Sequence, residues 1–421
     1  MRWRLIFGAI VFAVLISIFW IWKIFVRDRF DLASPNIRQT WRPIISMPWL
    51  NYGFDFGGDT GGMKGASSEA DLDAWFGRME QEGIQAVAWF LFADGRAALK
   101  FDSSGYVLGV TPTFQSDYHR VLRLAAKHRL QIIWVLTDYE LGMPVQTAGD
   151  LRMFGHADLF EDQGKRTSFI QRALNPILRD VDDSRQIAGW LLINEPENMI
   201  RSGQVTESGV RAFVRETAAA IKHYRPIQRV GLADADLTGM MEFADIDALD
   251  FLVFHHYRSV IPPPAAFVRG YLSERLKINK PRPIFIGEFN LNRPPGSDLG
   301  WFVKTSETLG YAGVWPWSLR NRPNETGNQA TDVDPQFTEL RAYADSVRSP
   351  NKNGRAWVVS QLKQVLLPEI DRRIARLQDK PDPENPYLRR EASFQLDWDQ
   401  TLKQQLEDEH AIGSALDRPL Q

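Results

Sequence analysis

The chain contains no cysteine. That excludes a disulfide scaffold, thiolate metal sites and cysteine nucleophiles, while leaving the redox compartment open. It also lacks an excess of either charge: 50 Lys+Arg stand against 52 Asp+Glu, for a net charge of -2. An electrostatic nucleic-acid binder would carry a basic face or run, so no nucleic-acid partner is expected. Catalytic signatures are missing too. H-E-x-x-H does not occur, and no metal ligand set is predicted. There is no G-x-S-x-G elbow for Ser/His/Asp hydrolysis. The segment "GGDTGG" at 57–62 has neither the G-x-G-x-x-G spacing of a dinucleotide site nor a P-loop lysine, so no cofactor is predicted.

What is present is apolar and aromatic. The 421 residues are 44% hydrophobic, with 14 Trp and 25 Phe, enough for a large core and for aromatic ligand platforms. The length suits two ordinary domains or one large barrel with appendages. The first thirty residues stand apart. Leu5 to Trp22 carries no charge, and only Lys23 interrupts its continuation to Val26. Roughly 20 apolar residues cross a bilayer core, so residues 1–26 read as an uncleaved membrane anchor, crossing at 5–26, followed by a juxtamembrane linker at 27–42. A signal peptide would have a shorter apolar region and an A-x-A-like site, and "DLAS" at 31–34 is a poor substitute. Charge does not orient the anchor, because Arg2 and Arg4 are balanced by Lys23, Arg27 and Arg29.

From Trp41 onward the pattern alternates. Short β-rich runs occur at Ile44–Met47, Ile84–Phe92, Gln131–Leu136, Ile187–Ile193, Arg229–Leu232, Phe251–His255, Pro283–Ile286 and Gly313–Trp317. Segments with helical spacing and start signals lie between them, such as Thr206 ahead of Val210, Phe213, Val214, Ala218 and Ile221. Eight such units over residues 43–350 predict a (β/α)8 TIM barrel. A doubly wound open sheet is the alternative, weakened by the missing glycine fingerprint. In the extension, residues 351–421, the positions Trp357, Val358, Leu362, Val365, Leu366, Ile370, Ile374 and Leu377 predict an amphipathic helix docked on the barrel. Pro381, Pro383 and Pro386 stop it, and the polar stretch from Glu391 reads as a loosely ordered tail.

Catalytic groups of such barrels sit at the C-terminal ends of strands. There the fourth strand runs into Asn194-Glu195-Pro196, the sixth ends in His255-His256-Tyr257, the seventh is followed by Glu288-Phe289-Asn290, and the eighth carries Trp315 and Trp317. A carboxylate after an apolar strand is costly to desolvate, so it should face a polar cavity. Two of them across one barrel mouth are the equipment for glycosidic bond cleavage. Glu197 reads as a solvated neighbour.

The ordered set "LLINEPEN" at 191–198, "FHHY" at 254–257, "IFIGEFN" at 284–290 and "GVWPWSL" at 313–319 resembles glycoside hydrolase clan A, closest to family 5, the large cellulase and mannanase family. The resemblance covers about residues 43–350. It implies a retaining β-glycosidase with Glu195 as acid/base and Glu288 as nucleophile. It further implies that Asn194 binds the sugar 2-hydroxyl, Tyr257 holds the nucleophile, and His255 lines the central subsite with Trp317 as its aromatic floor. Trp315, which shares a strand face with Trp317 by period two, is a further substrate-binding candidate. On the rims of strands one and two, Asp55, Asp94 and Arg96 are candidate sugar contacts. One departure stands out: Ala88 occupies the strand-two position where many family members place an arginine, and Arg96 could substitute for it from the loop. For the chemistry, Glu288 should be ionised and Glu195 should hold a proton near neutral pH. A polysaccharide or oligosaccharide substrate implies an outward-facing barrel on a single-pass anchor, its mouth close to the membrane. A catalytically silent carbohydrate-binding barrel and a cytoplasm-facing membrane scaffold are the alternatives.

Overall fold

The computed structural model describes residues 30–34, 41–47, 49–50, 53–57, 69–149, 151–180, 186–257, 261–289, 299–318, 334–349, 355–380 and 383–417. Eight parallel strands form one sheet in sequence order: β1 (Ile44–Ser46), β2 (Ala86–Phe90), β3 (Gln131–Asp138), β4 (Ile187–Asn194), β5 (Arg229–Asp234), β6 (Phe251–His255), β7 (Ile284–Glu288) and β8 (Gly313–Val314). The sheet closes on itself where Ser46 N donates to Pro316 O at 3.1 Å. Helices follow the strands: α1 (Glu69–Glu82), α2 (Phe114–Lys127), α3 (Gln163–Phe169), α4 (Glu207–Tyr224), α5 (Leu237–Phe243), α6 (Ala265–Glu274), α7 (Leu299–Thr308) and α8 (Asp334–Arg348). This is a (β/α)8 barrel.

The strands are almost wholly buried, as expected for parallel strands covered on both faces. Inside the barrel, Ala86, Ala88, Ala188 and Ala233 accompany Phe251, Phe285 and Trp315, so small and large side chains fill it rather than leave a pore. A second cluster joins the strands' outer faces to the helices. In α2, for example, Phe114, Tyr118, Val121, Leu122 and Ala125 recur at helical spacing and turn inward.

Residues 30–34 correct the linker expected at 27–42. Phe30 and Leu32 are buried in the interior cluster, and Asp31 pairs with Arg229 at the start of β5 at 2.9 Å. An ideal Cβ on Gly189, near the start of β4, would lie 2.7 Å from Leu32 Cδ1. The segment therefore packs under the end of the barrel opposite the strand C-termini. The membrane location also requires correction. Among the described residues no helix is long and apolar enough to cross a membrane. The segment 5–26 on which the anchor rested lies outside them. Moreover, the described chain enters the barrel at the end away from the predicted mouth, which removes the geometric reason for a mouth at the membrane. The single-pass, extracytoplasmic placement is withdrawn.

The extension begins as expected and then departs. Helix α9 (Arg355–Gln361) passes through a π-helical turn at Leu362–Leu366 into α10 (Leu367–Asp379), burying Val358, Leu362, Leu366 and Ile370. The stretch expected as a loose tail is instead two helices, α11 (Pro386–Glu407) and α12 (Glu409–Asp417). The reason is a spacing of four: Trp398, Leu402 and Leu406 form one apolar stripe and are buried. Trp398 meets Tyr271 of α6 edge-on, with ring centroids 5.1 Å apart.

Candidate active site

Strand register brings the predicted carboxylates together. On β6, Phe251, Val253 and His255 share one face by period two, and the first two line the barrel interior. A register shift between Phe254 and His255 pairs His255 with Glu288 at the end of β7. A second shift, between Leu191 and Asn194, re-aims the end of β4. Bulges of this kind commonly turn side chains beside active sites. Gly287 is sterically demanded: a Cβ there would lie 2.2 Å from Val253 Cγ1.

At the mouth, His255 Nδ1 lies 2.7 Å from Glu195 Oε1 and 3.3 Å from Glu288 Oε2. One carboxylate oxygen from each glutamate and the His255 nitrogen lie within 4.8 Å of one another. Tyr257, 43% exposed, donates its hydroxyl to Glu288 Oε2 at 2.9 Å. Asn198 Nδ2 donates to Glu195 Oε2 at 2.7 Å. Asn194 is buried and donates to Asp138 Oδ2 at 3.2 Å. Glu195 itself sits at φ +51°, where the chain leaves β4 and turns into the short helix Glu197–Arg201.

Charge is distributed unevenly here. Burial alone would depress the His255 imidazole, but Glu288 and Glu195 outweigh it and push it up to about 9. Burial would raise the Glu195 carboxyl, yet the hydrogen bond from His255, with help from Asn198 and Arg201, holds it below the ordinary carboxylate range. Both shifts run against the protonated Glu195 expected from the sequence and favour a protonated His255 beside it in the free chain, with the 2.7 Å contact as the cause. Glu195, His255 and Glu288 also have the geometry of a metal-ligand set.

Glu197 also departs from expectation. It is 0% exposed, its Oε1 accepts from Ala235 N at 2.5 Å, and its Oε2 has no hydrogen-bond partner. Burial, reinforced by Asp236, pushes its carboxyl up to about 8. Its neighbour Asp234 is raised well above the ordinary value by burial and by Glu197. Asp138, absent from the sequence-based site, is likewise raised well above it, by burial and then by Glu140.

The remaining candidates divide. Trp317 packs against the open end of the interior cluster, its ring 5.8 Å from Trp49 and 6.4 Å from Phe90. Trp315 is 1% exposed and stacks on Phe285 at 5.5 Å, so it is core and not a sugar platform. Asp55 is buried and accepts from Leu50 N and Trp89 Nε1 at 2.7 and 2.8 Å, pinning the loop after β1. Asp94 is fully buried against Arg96, whose Nε donates to its Oδ2 at 2.8 Å. Asp55, Asp94 and Arg96 thus each have a partner within the protein, and Ala88 remains an alanine in the barrel interior.

No family model matches the chain. Two mannan endo-1,4-beta-mannosidases are similar in sequence. That of Mytilus edulis is 27% identical over 336 residues, spanning 69% of this chain and 88% of that protein. That of Cryptopygus antarcticus is 26% identical over 161 residues, 38% of this chain and 39% of that protein. Solved structures share the fold: the endo-1,4-beta-mannanase from Eisenia fetida, at TM-score 0.55 and 21% identity, covers 73% of this chain and 92% of its own. The beta-1,4-D-mannanase from Cryptopygus antarcticus, at TM-score 0.56 and 17% identity, covers 73% and 91%. With the barrel and the strand-end motifs, these define the class of protein: the chain is a glycoside hydrolase. Within that class its sequence similarity is to mannan endo-1,4-beta-mannosidases, in keeping with the resemblance to clan A, close to family 5.

Proposed function

We propose that the chain hydrolyses β-1,4-linked mannan with retention of configuration, using Glu195 as acid/base and Glu288 as nucleophile. The carrying observation is that one carboxylate oxygen of Glu195 lies within 4.8 Å of one of Glu288. Retaining enzymes place the two carboxyl groups about 5–5.5 Å apart, whereas inverting ones leave about 6.5–9.5 Å for a water. The mannan substrate is taken from the relatives' names. In this reading Tyr257 orients Glu288 for attack on the anomeric carbon, and Trp317 lies beneath the sugar. Transfer of the His255 proton from Nδ1 to Glu195 Oε1 arms the acid. Glu195 then protonates the departing glycosidic oxygen as Glu288 forms the glycosyl ester. In the second half-reaction Glu195 takes a proton from the water that cleaves the ester.

The test is turnover of β-1,4-mannan by the full chain, with the anomeric configuration of the first product read by proton NMR. The β-anomer should appear first, and Glu288→Gln should abolish turnover while leaving the unfolding midpoint in place. A first-formed α-anomer, or an active Glu288→Gln, refutes the assignment.

A further inference from the structure

The helix that follows the acid/base is held from outside the barrel. Arg201, at the end of Glu197–Arg201, donates through Nε to Glu391 Oε1 of α11 at 2.8 Å. Its Nη1 reaches Asn198 Oδ1 at 3.4 Å, and Asn198 Nδ2 in turn donates to Glu195 Oε2 at 2.7 Å. We propose that Glu391 of the C-terminal extension is a positioning residue for Glu195, acting through Arg201 and Asn198. This rests on the acid/base role given to Glu195 above.

The amide of Asn198 can present either its oxygen or its nitrogen to Glu195. A guanidinium on its far side decides the matter, because it accepts only the oxygen as a partner. The 3.4 Å contact is long, yet it selects the orientation in which the NH2 group faces the carboxylate. Arg201 has a competing acid in Asp236, whose Oδ2 lies 3.2 Å from Nη2. Glu391 therefore sets the guanidinium's position between α11 and the short helix. Its own position is fixed. On the same helix Tyr387 donates to Glu242 Oε2 at 2.9 Å, Arg390 to Glu207 Oε2 at 2.5 Å, and Trp398 is buried against α6. The Arg201 and Glu391 side chains are only 20% and 18% exposed, so solvent screens the pair less than a surface one. Residues 190 positions apart in sequence thus meet at the far end of the short helix that follows the acid/base.

The discriminating experiment uses the full chain and aryl β-manno-oligosaccharides of one length whose phenol leaving groups run from activated to poor. A loosened acid/base matters only where the leaving oxygen needs a proton. Glu391→Ala should lower kcat/KM about tenfold on poor leaving groups, the size of one weakened charged hydrogen bond, and change activated ones less than twofold. Glu391→Asp should recover most of the loss. Glu195→Ala, run alongside, should show the same dependence more steeply. An equal loss on every leaving group, or no loss on any, overturns the role of Glu391 while leaving Glu195 in place. If Glu195→Ala itself shows no leaving-group dependence, the acid/base reading fails and this inference falls with it.

Discussion

Glu197 offers a direct test of the electrostatics beneath the site. Its carboxyl is fully buried, pushed up to about 8 from an ordinary 4.5 chiefly by burial. Between those pH values the folded chain holds a proton that the unfolded chain has released. The stabilisation is complete below pH 4.5 and is lost as pH rises towards 8, because unfolding then releases a proton. One proton corresponds to about 1.4 kcal/mol per pH unit, so this group alone lowers stability by about 3 kcal/mol between pH 5 and pH 7. His255, raised from 6.5, adds a loss of the same sign between 6.5 and about 9. The wild type alone would therefore mix these two with the raised carboxyls of Asp138 and Asp234. Glu197→Gln isolates one: it keeps an oxygen for Ala235 N, fills the same volume and cannot ionise. Urea unfolding of both proteins from pH 5 to pH 8 should give curves that diverge, the variant gaining about 3 kcal/mol on the wild type between pH 5 and 7. Parallel curves would mean that Glu197 is ionised when buried, and would refute the reasoning.

The two tryptophans of the eighth strand should separate by assay. Trp315→Ala should cost about 3–5 kcal/mol in urea unfolding, as a fully buried aromatic does, whereas Trp317→Ala should raise KM for mannan with a smaller loss of stability. A changed KM with an unchanged unfolding midpoint for Trp315→Ala would refute its placement in the core. The pH–rate profile should fall above about 9 as His255 loses the proton between the carboxylates, and His255→Gln should lack that limb. A limb that persists in the variant assigns it to another group.

The barrel was legible because parallel strands covered on both faces read as short apolar runs, and because helices with period 3.6 separate them. Glu195 and Glu288 were legible for the same reason: a carboxylate directly after such a run is out of place unless it serves a site. What escaped was set by direction and long-range pairing. Glu197 follows Glu195 by two residues and resembles a solvated helix start. The left-handed backbone at Glu195 and a glycine at 239, whose Cβ would lie 2.3 Å from Glu197 Oε1, turn it inward. Asp55 and Asp94 lie on rim loops as sugar ligands do, but their partners Trp89 and Arg96 claim them. In α11 the charged residues conceal a stripe of Trp398, Leu402 and Leu406. Phe30 and Leu32 are too few to register as a core segment, although both are buried.

The missing strand-two arginine has an electrostatic counterpart. Two ionised carboxylates with oxygens within 4.8 Å repel by roughly 3–4 kcal/mol at an effective dielectric of about 20. A cation placed closer to each than they are to each other more than cancels that repulsion. His255 meets the condition at 2.7 and 3.3 Å, and the same two charges keep it protonated. An arginine at position 88 would instead have to enter an interior shared by Phe90, Val253, Phe285 and Trp315, where its charge would be desolvated. The imidazolium supplies positive charge at the mouth without that burial. It can also give up its proton to a carboxylate 2.7 Å away, which a guanidinium does not do at physiological pH. A positive charge that holds the pair together in the free chain would then, in the mechanism proposed above, also be the proton source.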